Sequence, residues 1–316
     1  MPLSPEQQAE IEALQGRQAP TRRAVAPGLE ARLHAAVPVL DHGFVRVVDY
    51  MGDDAAVVQA ARVSYGAGTK AVRDDEGLIR YLMRHWHSTP FERCEIKLHV
   101  KLPIFVARQW IRHRTANVNE YSARYSVMDR EFYIPAPEQL AAQSAANRQG
   151  RGRLLEGDEA AAVLRLLRDD AALTYGHYRE MLNEDDEGRP LDPDRAGLAR
   201  ELARMNLTAN VYTQWYWKTD LHNLLHCLRL RADPHAQYEI RVYAEAIGDL
   251  VRDWAPLCWR AFEDYRQGAA QLSAPALALV RAALAGGAAD PAACGLSKRE
   301  LAEVLEVLPE LKDRLG

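Results

Sequence analysis

The chain has 316 residues, 48% hydrophobic and 27% charged, with a formal net charge of −4 and a sequence pI near 6.2. That is an ordinary globule with enough apolar residues for a sizeable core, in one large domain or two modest ones. The mild acidity excludes any global attraction to nucleic acid or to an anionic membrane. Four cysteines, Cys94, Cys227, Cys258 and Cys294, are scattered with no C-x-x-C pair, which points away from a zinc site or disulfide framework and towards a reducing cytoplasm. The first residues lack an apolar signal core. No uncharged stretch approaches the roughly 18 apolar residues that a spanning helix needs, so neither secretion nor membrane insertion is expected.

In chain order, residues 1–36 are rich in Gln, Ala, Arg and Pro with weak periodicity, and read as a flexible leader with one short helix at most. The main domain is expected over 37–267. Residues 39–51, with Phe44, Val45, Val47 and Val48, read as a first strand. Asp53 or Asp54 then caps a helix through AAVVQAARVSY, and Asp74 and Asp75 start another through LIRYLMRHW. The clearest strand is 93–101, where Cys94, Ile96, Leu98 and Val100 alternate with Glu95, Lys97, His99 and Lys101. One buried face and one wet face predict an α/β fold of the α+β type, a mixed or antiparallel central sheet flanked by helices, and not a doubly wound parallel sheet. An insertion is expected over about 138–195: a mobile connection at 136–158, a long helix over 159–182, and an acidic turn at 183–194. A helix over 196–205 and an aromatic strand over 211–218 follow. Helices are predicted over 221–231 and 236–253, with Pro234 where a first turn tolerates proline. Residues 268–316 form a helical C-terminal extension, its two helices interrupted by Gly286, Gly287 and Pro291.

Positive charge concentrates in 108–125, RQWIRHRTANVNEYSARY, which holds four arginines, one histidine and no lysine. The arginine fork binds phosphate oxygens bidentately and keeps its charge, so the cluster reads as an anion site. A solvated basic helix face is the bland alternative. Ile104, Phe105, Val106, Trp110 and Ile111 interleave with it, so one side of this segment must be buried. No G-x-G-x-x-G follows a strand, so any dinucleotide phosphates would have to be held by arginines. Two further polar clusters, HSTPFE at 87–92 and LRLRADPHAQYE at 228–239, sit where the pattern predicts burial.

The string Arg112-His113-Arg114, seven residues, then Ser122-Ala123-Arg124-Tyr125 resembles the signature of the flavin-dependent thymidylate synthases. The other two clusters match that family in order and spacing, and the resemblance spans about residues 37–265. It implies an enzyme that methylates dUMP to dTMP, with 5,10-methylenetetrahydrofolate as carbon donor and NADPH as reductant acting through FAD. It also implies a cytoplasmic homotetramer with active sites shared between subunits. Carried over residue by residue, it puts Gln109, Arg112, Glu120, Ser122, Arg124, Arg204 and Arg231 at dUMP, with Arg231 also catalytic, against the uracil ring. It puts Ser64, Thr89, Arg112, His113, Arg114, Glu120, Asp220, His222 and His226 at FAD, and His87 beside the flavin.

Each assignment has a competitor. Ser122 could be a nucleophile, although no Ser-His-Asp set or G-x-S-x-G elbow surrounds it. Arg231 could satisfy helix C-terminal carbonyls or pair with Asp233. His222 and His226, four apart on a helix, could ligate a metal, but no third ligand is evident and none is expected. His87 before Thr-Pro could be a turn residue. Unrelated thymidylate synthases attack uracil with a thiolate, whereas Cys94 on a strand's apolar face and Cys227 in LLHCLRL read as core, so hydride from reduced flavin replaces a cysteine nucleophile. Two other readings stay open: an FAD oxidoreductase without folate chemistry, and an RNA-binding module in which Trp110, Tyr121 and Tyr125 stack bases.

Overall fold

The computed structural model describes residues 5–63, 75–145, 150–185, 188–286 and 289–315. The chain divides into two compact units, Met1–Phe262 and Glu263–Gly316. The first contains α1 (Pro5–Gln15), α2 (Pro27–Glu30), β1 (Val37–Val39), β2 (Gly43–Met51), α3 (Asp54–Val63), α4 (Asp75–Arg84), β3 (Glu95–Pro103), α5 (Ile104–Trp110), β4 (Asn117–Glu120), β5 (Ala141–Gln143), β6 (Arg151–Leu154), α6 (Gly157–Leu182), α7 (Arg200–Ala203), β7 (Tyr212–Asp220), α8 (Leu221–Arg231), α9 (Tyr238–Trp254) and α10 (Pro256–Phe262). The second contains α11 (Ala274–Leu284) and α12 (Lys298–Val307). Ser273 and Ser297 cap these two by accepting from Ala276 N and Glu300 N. Leu279, Val304 and Leu311 help form the core of this second unit.

Five strands form one sheet in the order β1-β2-β3-β7-β4, with every neighbouring pair antiparallel. The expected fold class therefore holds, at its antiparallel end. In β3, Ile96, Leu98 and Val100 are fully buried while Glu95, Lys97 and His99 alternate outward, as the sequence pattern requires; Lys101, expected on the wet face, is instead buried and paired with Glu131. β7 runs beside β3 from Tyr212 opposite Pro103 to Asp220 opposite Glu95. Its Trp215 and Trp217 point into the core, where Trp110 of α5 meets them edge-on at 5.7 and 5.4 Å. Burial of three such indoles fixes the end of α5 against the sheet centre.

Several elements differ from their sequence pattern for identifiable reasons. The strand expected over 39–51 is a hairpin of β1 and β2, because Leu40 takes φ 60 and reverses the chain. Gly43 starts β2 where a Cβ would stand 2.0 Å from Tyr243 Oη. The connection expected at 136–158 contains the hairpin β5–β6. Only Arg200–Ala203 of the helix expected over 196–205 is α-helical, followed by a 3-10 turn at Arg204–Asn206; Gly197, at φ 74, lies outside it. Pro234 precedes α9 and is not in its first turn. The leader carries two helices, and its second half is packed: Leu29 is fully buried, Arg23 lies over Tyr50 at 4.6 Å, and Arg32 pairs with Asp253 at 2.8 Å. Asp74, Gly287 and the Ser64-Tyr65 end of the helix expected after Asp54 lie outside the described residues.

Candidate active site

Directly after the buried Trp110, the chain turns outward. Arg112 and Arg114 are exposed, and no hydrogen bond or ion pair among the described residues engages either guanidinium. The chain returns as β4 along the free edge of β7. Two threonines of β7 pin this loop: Thr219 Oγ1 donates to Thr115 O at 3.0 Å and Thr213 Oγ1 donates to Glu120 Oε1 at 2.8 Å. All four residues of β4 are exposed, which is why it shows no alternation in sequence.

Asp220 ends β7 and caps α8, accepting from Asn223 N at 2.9 Å and Asn223 Nδ2 at 2.7 Å. The helix so anchored ends at Arg231, whose Nε donates to His113 Nε2 at 3.0 Å. His113 must therefore carry its proton on Nδ1. Burial, then the Arg231 guanidinium, then His226 push this imidazole down to about 4, so it is neutral at physiological pH. The His226 ring meets it edge-on at 6.1 Å. The pair fixes one nitrogen of a half-buried guanidinium and leaves its two terminal amino groups for a ligand. Asp233, the competing partner for Arg231, instead accepts from His235 N at 2.8 Å.

The structure thus joins His113, His226 and Arg231, and ties Glu120 and Asp220 to β7. Gln109, half-buried, lies in the last turn of α5. Ser122 and Arg124 sit in a separate tight turn, where Ser122 Oγ accepts from Arg124 N at 3.3 Å and Arg124 lies 5.4 Å over the Tyr125 ring. Arg200 holds that turn by donating to Tyr125 O at 2.9 Å. Arg204 is exposed and donates to Glu201 O at 3.3 Å. His87 and Thr89 line a cleft of about 960 Å³ together with Arg23, Tyr81, Ser88 and Arg93. Ser64 lies outside the described residues. Sequence reasoning missed Thr213 and Thr219, which no motif marks; it also passed over Trp86 and Arg229, whose guanidinium lies 5.8 Å from the Trp86 ring centroid.

The thiols are placed as core residues. Cys94, Cys227 and Cys258 are buried. Burial pushes Cys94 and Cys227 up to about 12 and raises Cys258 well above its ordinary value, the opposite of what a nucleophilic thiolate needs. Among the described residues no three His, Cys, Asp or Glu side chains group to hold a metal ion. No described helix is long and apolar enough to cross a membrane.

Comparison with known proteins gives a consistent result. The thymidylate synthase complementing protein family matches residues 46–257. The chain is similar to the flavin-dependent thymidylate synthase of Ruegeria pomeroyi, with 66% identity over 98% of this chain and 99% of that one. It is similar to that of Gluconobacter oxydans at 61% identity, over 98% and 99%. Among solved structures, a UMP/dUMP methylase, PolB from Streptomyces cacaoi, bound with 5-Br dUMP, superposes with a TM-score of 0.63 at 30% identity, over 73% of this chain and 99% of that one. With relatives this similar along nearly its whole length, the chain belongs to the flavin-dependent thymidylate synthase family.

Proposed function

We infer that the protein is a methyltransferase that converts dUMP to dTMP, with 5,10-methylenetetrahydrofolate as carbon donor, NADPH as reductant and FAD as cofactor. The observation that carries this reading is the contact between Arg231 and a neutral His113 beside unengaged arginines. The transferred methylene must gain two electrons to become a methyl group, and flavin supplies them as hydride when bound. The chain's residues fit such a group. A dinucleotide flavin needs donors for its pyrophosphate, which Arg112 and Arg114 offer in the absence of a glycine-rich loop. It also needs a cleft of several hundred Å³, which the one at Thr89 provides.

In this reading Arg231 donates to the uracil ring and stabilises the negative charge that builds there, electrostatic help worth about 3 kcal/mol per donor. His113 keeps that guanidinium aimed. Arg112, Ser122 and Arg124 hold the nucleotide phosphate, and Gln109, Glu120 and Arg204 complete the dUMP set. Ser64, Thr89, Arg112, His113, Arg114, Glu120, Asp220, His222 and His226, with His87 beside them, form the flavin set, in which Asp220 acts by capping α8. A cytoplasmic homotetramer with active sites shared between subunits completes this reading, on the strength of the family to which the chain belongs.

The test uses flavin-loaded protein with NADPH, methylenetetrahydrofolate and dUMP tritiated at C5. Tritium release together with dTMP formation is expected. Flavin-dependent NADPH oxidation without either product would reduce the protein to an oxidoreductase. Colourless protein that takes up no flavin would remove both readings.

A further inference from the structure

Helix α4 stops in a way that its sequence does not announce. His87 N–H donates to Leu82 O at 3.0 Å and Trp86 N–H donates to Met83 O at 3.3 Å, the paired bonds of a helix stop whose middle residue must be left-handed. Glycine takes that conformation without strain, yet here it is Trp86, at φ 63. A bulky aromatic at positive φ is an outlier of the kind that persists at ligand sites. Its indole is not a core wedge, being 60% exposed.

Two neighbours say what the ring faces. The Arg229 guanidinium lies 5.8 Å from the Trp86 ring centroid, and Arg229 shares a helical face with His222 and His226, at spacings of three and four. His226 in turn meets His113. Next in sequence to Trp86, His87, Ser88 and Thr89 line the 960 Å³ cleft. A strip of Trp86, Arg229 and ring-bearing side chains thus runs from the cleft towards the Arg231–His113 pair. A flavin dinucleotide has two aromatic ring systems joined by a pyrophosphate. If its hydride-donating ring lies against uracil at Arg231, the ring left for a distant aromatic platform is the adenine.

We propose that Trp86, with Arg229 across its face, is the stacking platform for the adenine end of bound FAD, a role that rests on the flavin reading above. Base stacking on an aromatic side chain explains why a strained tryptophan is kept where glycine would be easier. The test titrates flavin-free protein with FAD and, separately, with FMN, which lacks adenine, following flavin fluorescence. Trp86→Gly is expected to weaken FAD binding about tenfold while FMN affinity stays within about twofold of wild type. Without ligand this variant should melt no lower than wild type, because glycine relieves the left-handed backbone. Trp86→Phe should keep most FAD affinity and Trp86→Leu should lose it, a contrast that decides the matter even if the glycine variant folds poorly. Equal losses for FAD and FMN, an unchanged FAD affinity, or a change confined to association state would each overturn the proposal. Wild-type protein that binds neither flavin would overturn the proposed function itself, a different result from any of these.

Discussion

The molecule builds the same contact twice. On the sheet, Arg46 Nε donates to His99 Nδ1 at 2.9 Å; beside α8, Arg231 Nε donates to His113 Nε2 at 3.0 Å. Burial first, and the adjacent guanidinium second, push both imidazoles down to about 4. Their surroundings differ. His99 uses its other nitrogen on Gln214 Oε1 at 3.0 Å, stacks on Tyr216 at 4.9 Å and meets Phe44 edge-on at 5.0 Å, while Arg46 also faces Glu10 at 3.8 Å. His113 meets the edge of His226, and no carboxylate among the described residues pairs with Arg231. One contact is closed, with its cation near a counter-charge. The other holds a cation in place without neutralising it, which suits an anion that arrives later.

The comparison breaks most readily at the open pair. Arg231→Ala should lower dTMP formation by at least a hundredfold, on the order of 3 kcal/mol, with flavin content and melting temperature near wild type; turnover that survives in flavin-loaded protein would remove Arg231 from the chemistry. Arg46→Ala should do the reverse, costing about 1–2 kcal/mol in urea unfolding as His99 loses its donor and leaving turnover within about twofold. A turnover loss as large as that at Arg231 would erase the distinction between the two contacts.

The pairs also set a pH dependence. Each folded imidazole titrates near 4 against the ordinary 6.5, so across that window the unfolded chain binds protons that the folded chain refuses. Stability should be full above about 6.5 and fall as the pH drops towards about 4. A plot of melting temperature against pH should flatten for His99→Asn and for His113→Asn, and an unchanged slope would refute the neutral-imidazole assignment. A comparably small effect on turnover is expected from replacing all four cysteines by alanine. Turnover should stay within about threefold despite some loss of packing, whereas an inactive variant that still folds and binds flavin would reinstate a thiolate.

Elements with one buried face were legible in the sequence. The alternation from Glu95 to Val100 marked β3, and the apolar periodicity of LHNLLHCLRL marked α8 over 221–231, because burial writes local patterns. β4 was not legible as a strand: Asn117, Val118, Asn119 and Glu120 are all exposed, so only the hydrogen bonds of β7 define it. Leu40 and Trp86 hide their reversals because neither is the glycine that usually signals one. At the site, residue types and motif spacing pointed to anion binding, but the contact between His113 and Arg231 spans 118 positions and depends on the sheet bringing α5 and α8 together. The cap role of Asp220 likewise emerged only from geometry.

Thr213 and Thr219, both on β7, fasten the loop that follows Arg112 and Arg114 near its two ends, Glu120 and Thr115. Their strand lies between β3 and β4 inside the sheet, so it cannot fray without dismantling the core. The entropy of ordering that loop is consequently spent once, when the chain folds, and an incoming nucleotide meets a surface already set. Amide hydrogens of β7 should accordingly exchange only through global opening of the fold.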